Sequence, residues 1–353
     1  MKDKDTVLIQ AGPLKKFCAQ LFEKTGMQPE EASVNADTLV DADLKGIDSH
    51  GVSRLPIHLK RIKIGIVRAN YEMKMASDRL SAAVIDACNS MGPYVSVKAM
   101  ELAIEKARHT GVAFVTVKNS NHNGIAAYYA ERALPSGMIG IAATNSKARM
   151  AVYGGRDPYL GTNPFAVAIP AGEQRPIIAD MATSVVARGK VAAAAKNKQP
   201  LPPGWALDKE GEPTTDASEG LKGTVVPFAG YKGSAIALVI DVLTAVLSGS
   251  LFGPYVRDLY TDFDEPACIS HLFGAVNVEA FTSLAKFKSD IDQMIREIKG
   301  AKPAKGVSEI FLPGEIELCR REKWSREGIP LAVAYVEDLR REAEQWQVPF
   351  TLC

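Results

Sequence analysis

No pair of cysteines stands at a CxxC spacing, and the five that occur, Cys18, Cys88, Cys268, Cys319 and Cys353, are scattered along the chain. An odd number at irregular intervals fits free thiols in a reducing compartment rather than a disulfide framework. No Cys/His cluster has zinc spacing and no HExxH occurs, so no metal site is written here. The phosphate-binding glycine patterns are missing as well. There is neither a GxGxxG after a strand nor a GxxxxGK[ST], so a bound dinucleotide has to be held by loops and helix ends of another design. A GxSxG nucleophile elbow is also absent. No charge of one sign dominates, with 42 Lys plus Arg against 41 Asp plus Glu. Such a balance offers no global attraction to nucleic acid or anionic lipid and points to a small-molecule ligand. The most apolar stretch, residues 234–247, contains Asp241 and falls short of the ~20 residues a membrane span needs. It reads as part of a buried helix over residues 231–247. The first residues, MKDKDTVLIQ, lack the apolar core of a signal peptide. The cytoplasm is the compartment these absences imply.

What is present describes a folded chain. Hydrophobic residues make up 46% and charged ones 24% of 353 residues, enough for two domains or one with a subdomain. The head is helical: Leu14, Phe17, Leu21 and Phe22 share a face before Gly26. Pro29 then opens a second helix that stops at Gly46, and a third begins near Arg54. From about Ser81 the pattern changes to strand–helix–strand. AAVIDA, VAFVTV, MIGIAAT, residues 165–169, residues 176–180 and ISHLFGAVNV read as strands, with helices over 92–110, 125–134 and 279–298 between or after them. That order argues for an α/β layer architecture with partly parallel pairing. PLPPGWALDKEGEPTTD reads as a surface hairpin, and the tail from about Leu331 is helical again. Cys88 and Cys268 fall in or beside apolar strands and read as core.

Two histidines sit in polar, glycine-containing loops. In Asp48-Ser49-His50-Gly51-Val52-Ser53-Arg54, the imidazole of His50 suits proton transfer near neutral pH, and the planar fork of Arg54 suits a carboxylate. Ser49 and Ser53 are placed to orient the ring or bind a substrate oxygen. The same spacing also suits a capping histidine and a solvated arginine. In Lys118-Asn119-Ser120-Asn121-His122-Asn123-Gly124, His122 follows a buried strand, where ligands of α/β sheets gather. A polar turn capping the next helix is the plainer account. Asp180 ends an apolar strand, either to pair with a histidine or to cap a helix. Tyr231 and Lys232 open a helix, where free N–H groups favour phosphate. His58, His109 and His271 read as structural.

Taken together, GIDSHGVSRLP, NSNHNGIAAYYAERA, TNSKARMAVYGG, LGTNPFAVAIPA, IADMATSVVARGK, GYKGSAIALVIDVLTAVLSG and LPGEIE resemble, in order, the type-2 malate/L-lactate dehydrogenase family. The resemblance implies a three-layer α/β/α fold with a mixed sheet, a nucleotide-binding fold unrelated to Rossmann domains. It also implies a homodimer, while the helical head and tail flanking the α/β middle suggest a helical outer domain from 1–78 plus 280–353 around a central domain over 79–279. The implied activity is hydride transfer between NAD or NADP and C2 of a small 2-hydroxy or 2-oxo acid. His50 resembles the family's proton donor/acceptor, with His122 competing for that role and Asp180 supporting it. Ser49, Arg54 and Ser146 resemble substrate-binding positions. His122, Ser146, Thr162, Asn163, Asp180, Met181, Ala182, Thr183, Ser184, Tyr231, Lys232, Gly314, Glu315 and Ile316 resemble cofactor-binding positions. Lys147 and Arg149 add charge beside Ser146, suited to a second anionic group on the substrate or to the 2′-phosphate of NADP. Reduction of a cyclic imine such as piperideine-2-carboxylate is the enzymatic alternative, and a non-catalytic binding protein is the remote one.

Overall fold

In the computed structural model, residues 6–352 are described; the charged first residues and Cys353 lie outside them. A seven-stranded sheet forms the centre. Its strands run in the order Lys74–Asp78, Ala82–Asp86, Val112–Ser120, Ile269–Asn277, Met138–Thr144, Phe165–Ile169 and Ile177–Met181. Only Ala82–Asp86 and Val112–Ser120 pair in parallel, joined through the Gly92–Thr110 helix. Every other neighbouring pair is antiparallel. The sheet is mixed, as the resemblance implies, yet with a single parallel pair.

Alternation along the strands divides the core between two faces. Val115, Val117, Phe273, Ala275, Ala142 and Ala166 bury one face against Val95, Met100, Ala103 and Ala107 of the Gly92–Thr110 helix. Leu272 and Ala143 point to the other side and meet Ile240 of the Tyr231–Asp241 helix. Helices on both faces make the three-layer arrangement. A second core joins the two ends of the chain: Leu14, Phe17, Leu21 and Phe22 pack with Leu39, Leu55, Leu59, Val336 and Leu339. Strand Thr6–Ile9 pairs with Ile329–Ala332 beside it. These strands are four residues each, too short for the sequence pattern to reveal. A third cluster around Met150, Leu160, Val191, Ala206 and Val225 supports a lobe with its own five-stranded sheet.

Several sequence expectations change. The 125–134 helix is one turn of α-helix at Ala127–Ala130 followed by a 3-10 segment, Glu131–Ser136, that contains Pro135, whose ring interrupts helical hydrogen bonding. The 231–247 segment is buried on one side only, through Ala237, Ile240 and Ala245. It is an α-helix over Tyr231–Asp241 that passes into a π-turn, Val242–Val246, and leaves Val239 55% and Leu247 60% exposed. Cys88, in a turn, and Cys268, just before the Ile269–Asn277 strand, are half-buried with positive φ, 48° and 52°, whereas among the described residues Cys18 is the fully buried thiol. Among the described residues no helix is long and apolar enough to cross a membrane.

One buried acid fixes the turn that carries His50. Asp43, near the end of the Pro29–Leu44 helix, accepts the Val52 backbone N–H at 2.8 Å. A Cβ on Gly51 would lie 1.8 Å from Asp43 Oδ1, so only glycine allows this approach. Burial pushes the Asp43 carboxyl up to about 8, opposed by the Val52 N–H and reinforced by the charge of Asp48. A carboxyl whose folded pKa is raised contributes stability that is full below about pH 4 and is lost as pH climbs toward 8. Asp43→Asn keeps an acceptor for Val52 and cannot ionise. It should raise unfolding free energy at pH 8.5 by about 1–3 kcal/mol and change little at pH 5. Urea titrations at the two pH values measure the difference, and equal effects at both would refute this account.

Candidate active site

Two 3-10 turns, Asp48–His50 and Val52–Arg54, lead into the Leu55–Lys63 helix, which has Pro56 in its first turn. The second loop, around His122, closes on the start of the Gly92–Thr110 helix. There a Cβ on Gly92 would meet the Asn121 carbonyl oxygen at 2.2 Å. Asn121 holds the loop by donating its amide to Asn89 Oδ1 and to the Ser90 carbonyl, both at 3.0 Å. These two loops and the Leu55–Lys63 helix bring three imidazoles into a stack. His50 and His122 have ring centroids 5.4 Å apart at 26°, and His58 lies 5.6 Å from His122 at 30°.

Charge is disfavoured in this stack. Burial, then the guanidinium of Arg54, holds His50 at about 4. Burial with Arg54 and Arg61 holds His58 at about 3. Burial, followed by His50, Arg54 and the other rings, lowers His122 well below its ordinary value. All three are neutral bases near pH 7. Ser49 Oγ meets His50 Nδ1 at 3.0 Å, leaving Nε2 for a ligand. His271 is different. Its Nδ1 meets Thr144 Oγ1 at 2.8 Å and its Nε2 meets Ser120 Oγ at 2.9 Å, so both nitrogens are committed to the sheet. His109 is a surface residue beside Glu105.

Arg54 donates through Nε to the Ser49 carbonyl at 2.6 Å and through Nη1 to the Tyr260 hydroxyl. No carboxylate pairs with it among the described residues, and burial lowers its pKa. Sequence reading set His58 aside and passed over Arg61 and Tyr260. Arg54, His58 and Arg61 stand at i, i+4 and i+7, one face of a helix, and that spacing was the available signal. Tyr260 lies 206 residues from Arg54, and nothing local announces it.

The segments that resemble cofactor positions are tied together by hydrogen bonds. Thr183 donates both its backbone N–H (2.9 Å) and its hydroxyl (3.0 Å) to the Thr162 carbonyl, and its own carbonyl accepts from Phe228 N–H at 3.0 Å. Asn163 accepts the Ser146 N–H at 3.1 Å and donates to the Ala237 carbonyl at 2.9 Å. Gly161 has no room for a Cβ, which would lie 2.5 Å from Ser146 Oγ. That hydroxyl is buried without a partner. Tyr231 and Lys232 are exposed at the start of their helix, Ala182 is half-buried, and Ser184 bonds the Val186 carbonyl.

Asp180, Met181 and Gly314 share a cavity of ≈ 150 Å³ with Lys45, Glu131 and Glu317. Gly314, at φ 82°, lies against Ile178, whose N–H donates to the Pro313 carbonyl at 3.0 Å. Glu315 turns away to Lys299 at 2.6 Å, and Ile316 is 38% exposed. Asp180 does not hydrogen-bond a histidine. Its carboxylate accepts the Ala127 N–H at 2.8 Å, capping that short helix, and burial pushes it up to about 6. Arg149 is not free for a second anion either, because it is paired with buried Asp258.

The chain has counterparts among known proteins. Residues 9–340 match the family described as malate/L-lactate dehydrogenase. The chain is 42% identical to the L-sulfolactate dehydrogenase of Methanocaldococcus jannaschii over 88% of this chain and 89% of that one. A solved structure of the sulfolactate dehydrogenase of that organism superposes with a TM-score of 0.91 at 38% identity, over 97% of this chain and 98% of the other. The ureidoglycolate dehydrogenase (NAD(+)) of Escherichia coli K12 is 34% identical, covering 87% of this chain and 88% of its own. The (2R)-3-sulfolactate dehydrogenase (NADP(+)) of Chromohalobacter salexigens is 35% identical, covering 91% and 94%. With the fold, the ordered motifs and the full-length match in agreement, the chain belongs to the malate/L-lactate dehydrogenase family.

Proposed function

We propose that the protein is an NAD- or NADP-dependent oxidoreductase acting at C2 of a small 2-hydroxy or 2-oxo acid of the malate or sulfolactate kind. His50 is its proton donor and acceptor. The observation that carries this reading is a half-buried Arg54 with no carboxylate partner among the described residues, beside a neutral imidazole stack. Family membership supports it, as do relatives named for NAD(+) and for NADP(+).

The residues present suit a dinucleotide. Ser146 offers a buried hydroxyl without a partner, Lys232 stands exposed at a helix start, and Asp180, Met181 and Gly314 line one cavity. When bound, a reduced nicotinamide supplies the hydride. The protein's own task is orientation and proton transfer. Arg54 takes the substrate carboxylate through charge-assisted hydrogen bonds, which presents C2 in one orientation. His50, neutral with Nδ1 held by Ser49, accepts the hydroxyl proton during oxidation. In the reverse direction the anionic substrate offsets the Arg54 charge, one of the two causes that hold His50 down, and so favours the protonated ring as it is needed. His122 stacks on His50, and burial first, then the charges of its neighbours, lowers it well below its ordinary value, which suits a neutral neighbour.

We also propose that the exposed face of Leu238, Val239, Val242, Leu243, Val246 and Leu247 joins two copies into a homodimer, since apolar patches of this kind mark interfaces. Free cysteines fit a reducing, cytoplasmic setting.

Initial rates of NADH and NADPH oxidation with pyruvate, oxaloacetate, sulfopyruvate, diketogulonate and piperideine-2-carboxylate test the reaction class. Turnover of a 2-oxo acid is the expected result, turnover of the cyclic imine alone would favour the imine reductase, and silence with both cofactors would overturn hydride transfer. His50→Gln should cost on the order of 10²–10⁴ in kcat while fluorescence titration shows cofactor binding retained. Leu243→Glu with Val246→Glu should convert a dimer to a monomer in sedimentation velocity; a wild-type monomer contradicts the interface.

A further inference from the structure

The Asp258–Phe263 loop lies over Arg54, held from several sides. Asp258 Oδ1 accepts Tyr260 N–H at 2.7 Å and Thr261 N–H at 3.2 Å, while Oδ2 pairs with Arg149. Asp258 N–H donates to Asp262 Oδ2 at 2.6 Å. Arg61, from the helix that follows Arg54, donates Nη1 to the Leu259 carbonyl at 3.1 Å and the Asp262 carbonyl at 2.7 Å. Between these anchors Tyr260 sets its ring 5.1 Å from the Arg54 guanidinium carbon and its hydroxyl against Nη1. Arg149 therefore acts at one remove from the site, as an anchor of this loop.

Hydrogen-bond valence then assigns Tyr260 a role. A guanidinium carries donors only, so the Tyr260 oxygen is the acceptor and the phenol keeps its proton to give. Arg54 uses Nε on Ser49 and one arm on Tyr260, which leaves Nη2 and the second Nη1 hydrogen without a partner among the described residues. Those hydrogens and the phenol hydrogen belong to two side chains in direct contact, so one small ligand can reach both. All are donors, and the cation withdraws electron density from the phenol oxygen, which makes its proton a better donor. An all-donor cradle suits a carboxylate and opposes a carboxamide, whose NH2 would face other donors.

We propose that Tyr260 and Arg54 jointly seat the substrate carboxylate, Tyr260 reading the acid against neutral analogues. This rests on the 2-hydroxy-acid reading above. The first measurement compares wild type with Tyr260→Phe, using whichever 2-oxo acid of the panel is turned over and the carboxamide of the same acid. KM for the acid should rise about tenfold or more, as for other hydrogen bonds to charged groups, with kcat within about threefold and the acid-over-amide preference reduced by the same factor. A loss shared equally by acid and amide, or no change in KM, overturns the proposal. The second measurement needs no turnover: oxalate should raise the melting temperature of the wild type, less so that of Tyr260→Phe, and that of Arg54→Gln not at all. A wild type silent on every substrate that still shows this oxalate pattern keeps the carboxylate seat and discards the reaction. Equal oxalate shifts in wild type and Tyr260→Phe discard the seat while leaving the reaction untouched.

Discussion

The uncompensated charge of Arg54 constrains everything around it. A guanidinium drawn into a half-buried position without a carboxylate has to be held by neutral dipoles, and here a main-chain carbonyl and a phenol do so. Burial, reinforced by its field, keeps three nearby imidazoles uncharged, which lets them lie face to face instead of repelling one another. The same helix face then supplies Arg61, which clamps the loop that closes on Arg54. One unpaired charge thus orders a stack, a helix face and a distant loop, and it leaves the site short of one anion.

How much of this was readable from the chain depends on sequence distance. His50, Ser49 and Arg54 lie within six residues, and the turns that carry them follow from Gly51 and Pro56. Their grouping was open to inspection. Most strands were readable too, because buried apolar runs such as VAFVTV hold to their pattern in the central sheet. Strand direction was not. An intervening helix suggests parallel pairing, yet the Ile269–Asn277 strand enters the centre of the sheet from far along the chain and pairs antiparallel on both sides. The helix over 231–241 misled for a related reason. Its apolar residues run round the whole cylinder, which from composition reads as burial, while in the structure one side meets the sheet and the other is bare.

Asp180 shows the same limit at the scale of one residue. Its position at a strand end was readable, but its partner was not, since Ala127 lies 53 residues away and contributes only a backbone N–H. Arg149 resembled a ligand group until its pairing with Asp258, 109 residues on, turned it into a support. Charged residues near a site are sorted into contacts and supports by tertiary pairing, which leaves no trace in local spacing.

The neutral histidines carry a cost that is felt by the whole molecule. Four of the five, His50, His58, His122 and His271, are held below the ordinary value of 6.5, whereas each takes up a proton near that value in the unfolded chain. Their stability contribution is full above pH 6.5 and drains away as pH falls toward the folded values, at about 1.4 kcal/mol per proton per pH unit. Asp43 works in the opposite sense, draining stability as pH rises toward 8. These opposed trends place the summit of stability close to neutrality, so acidification weakens the fold through the very rings that line its proposed site.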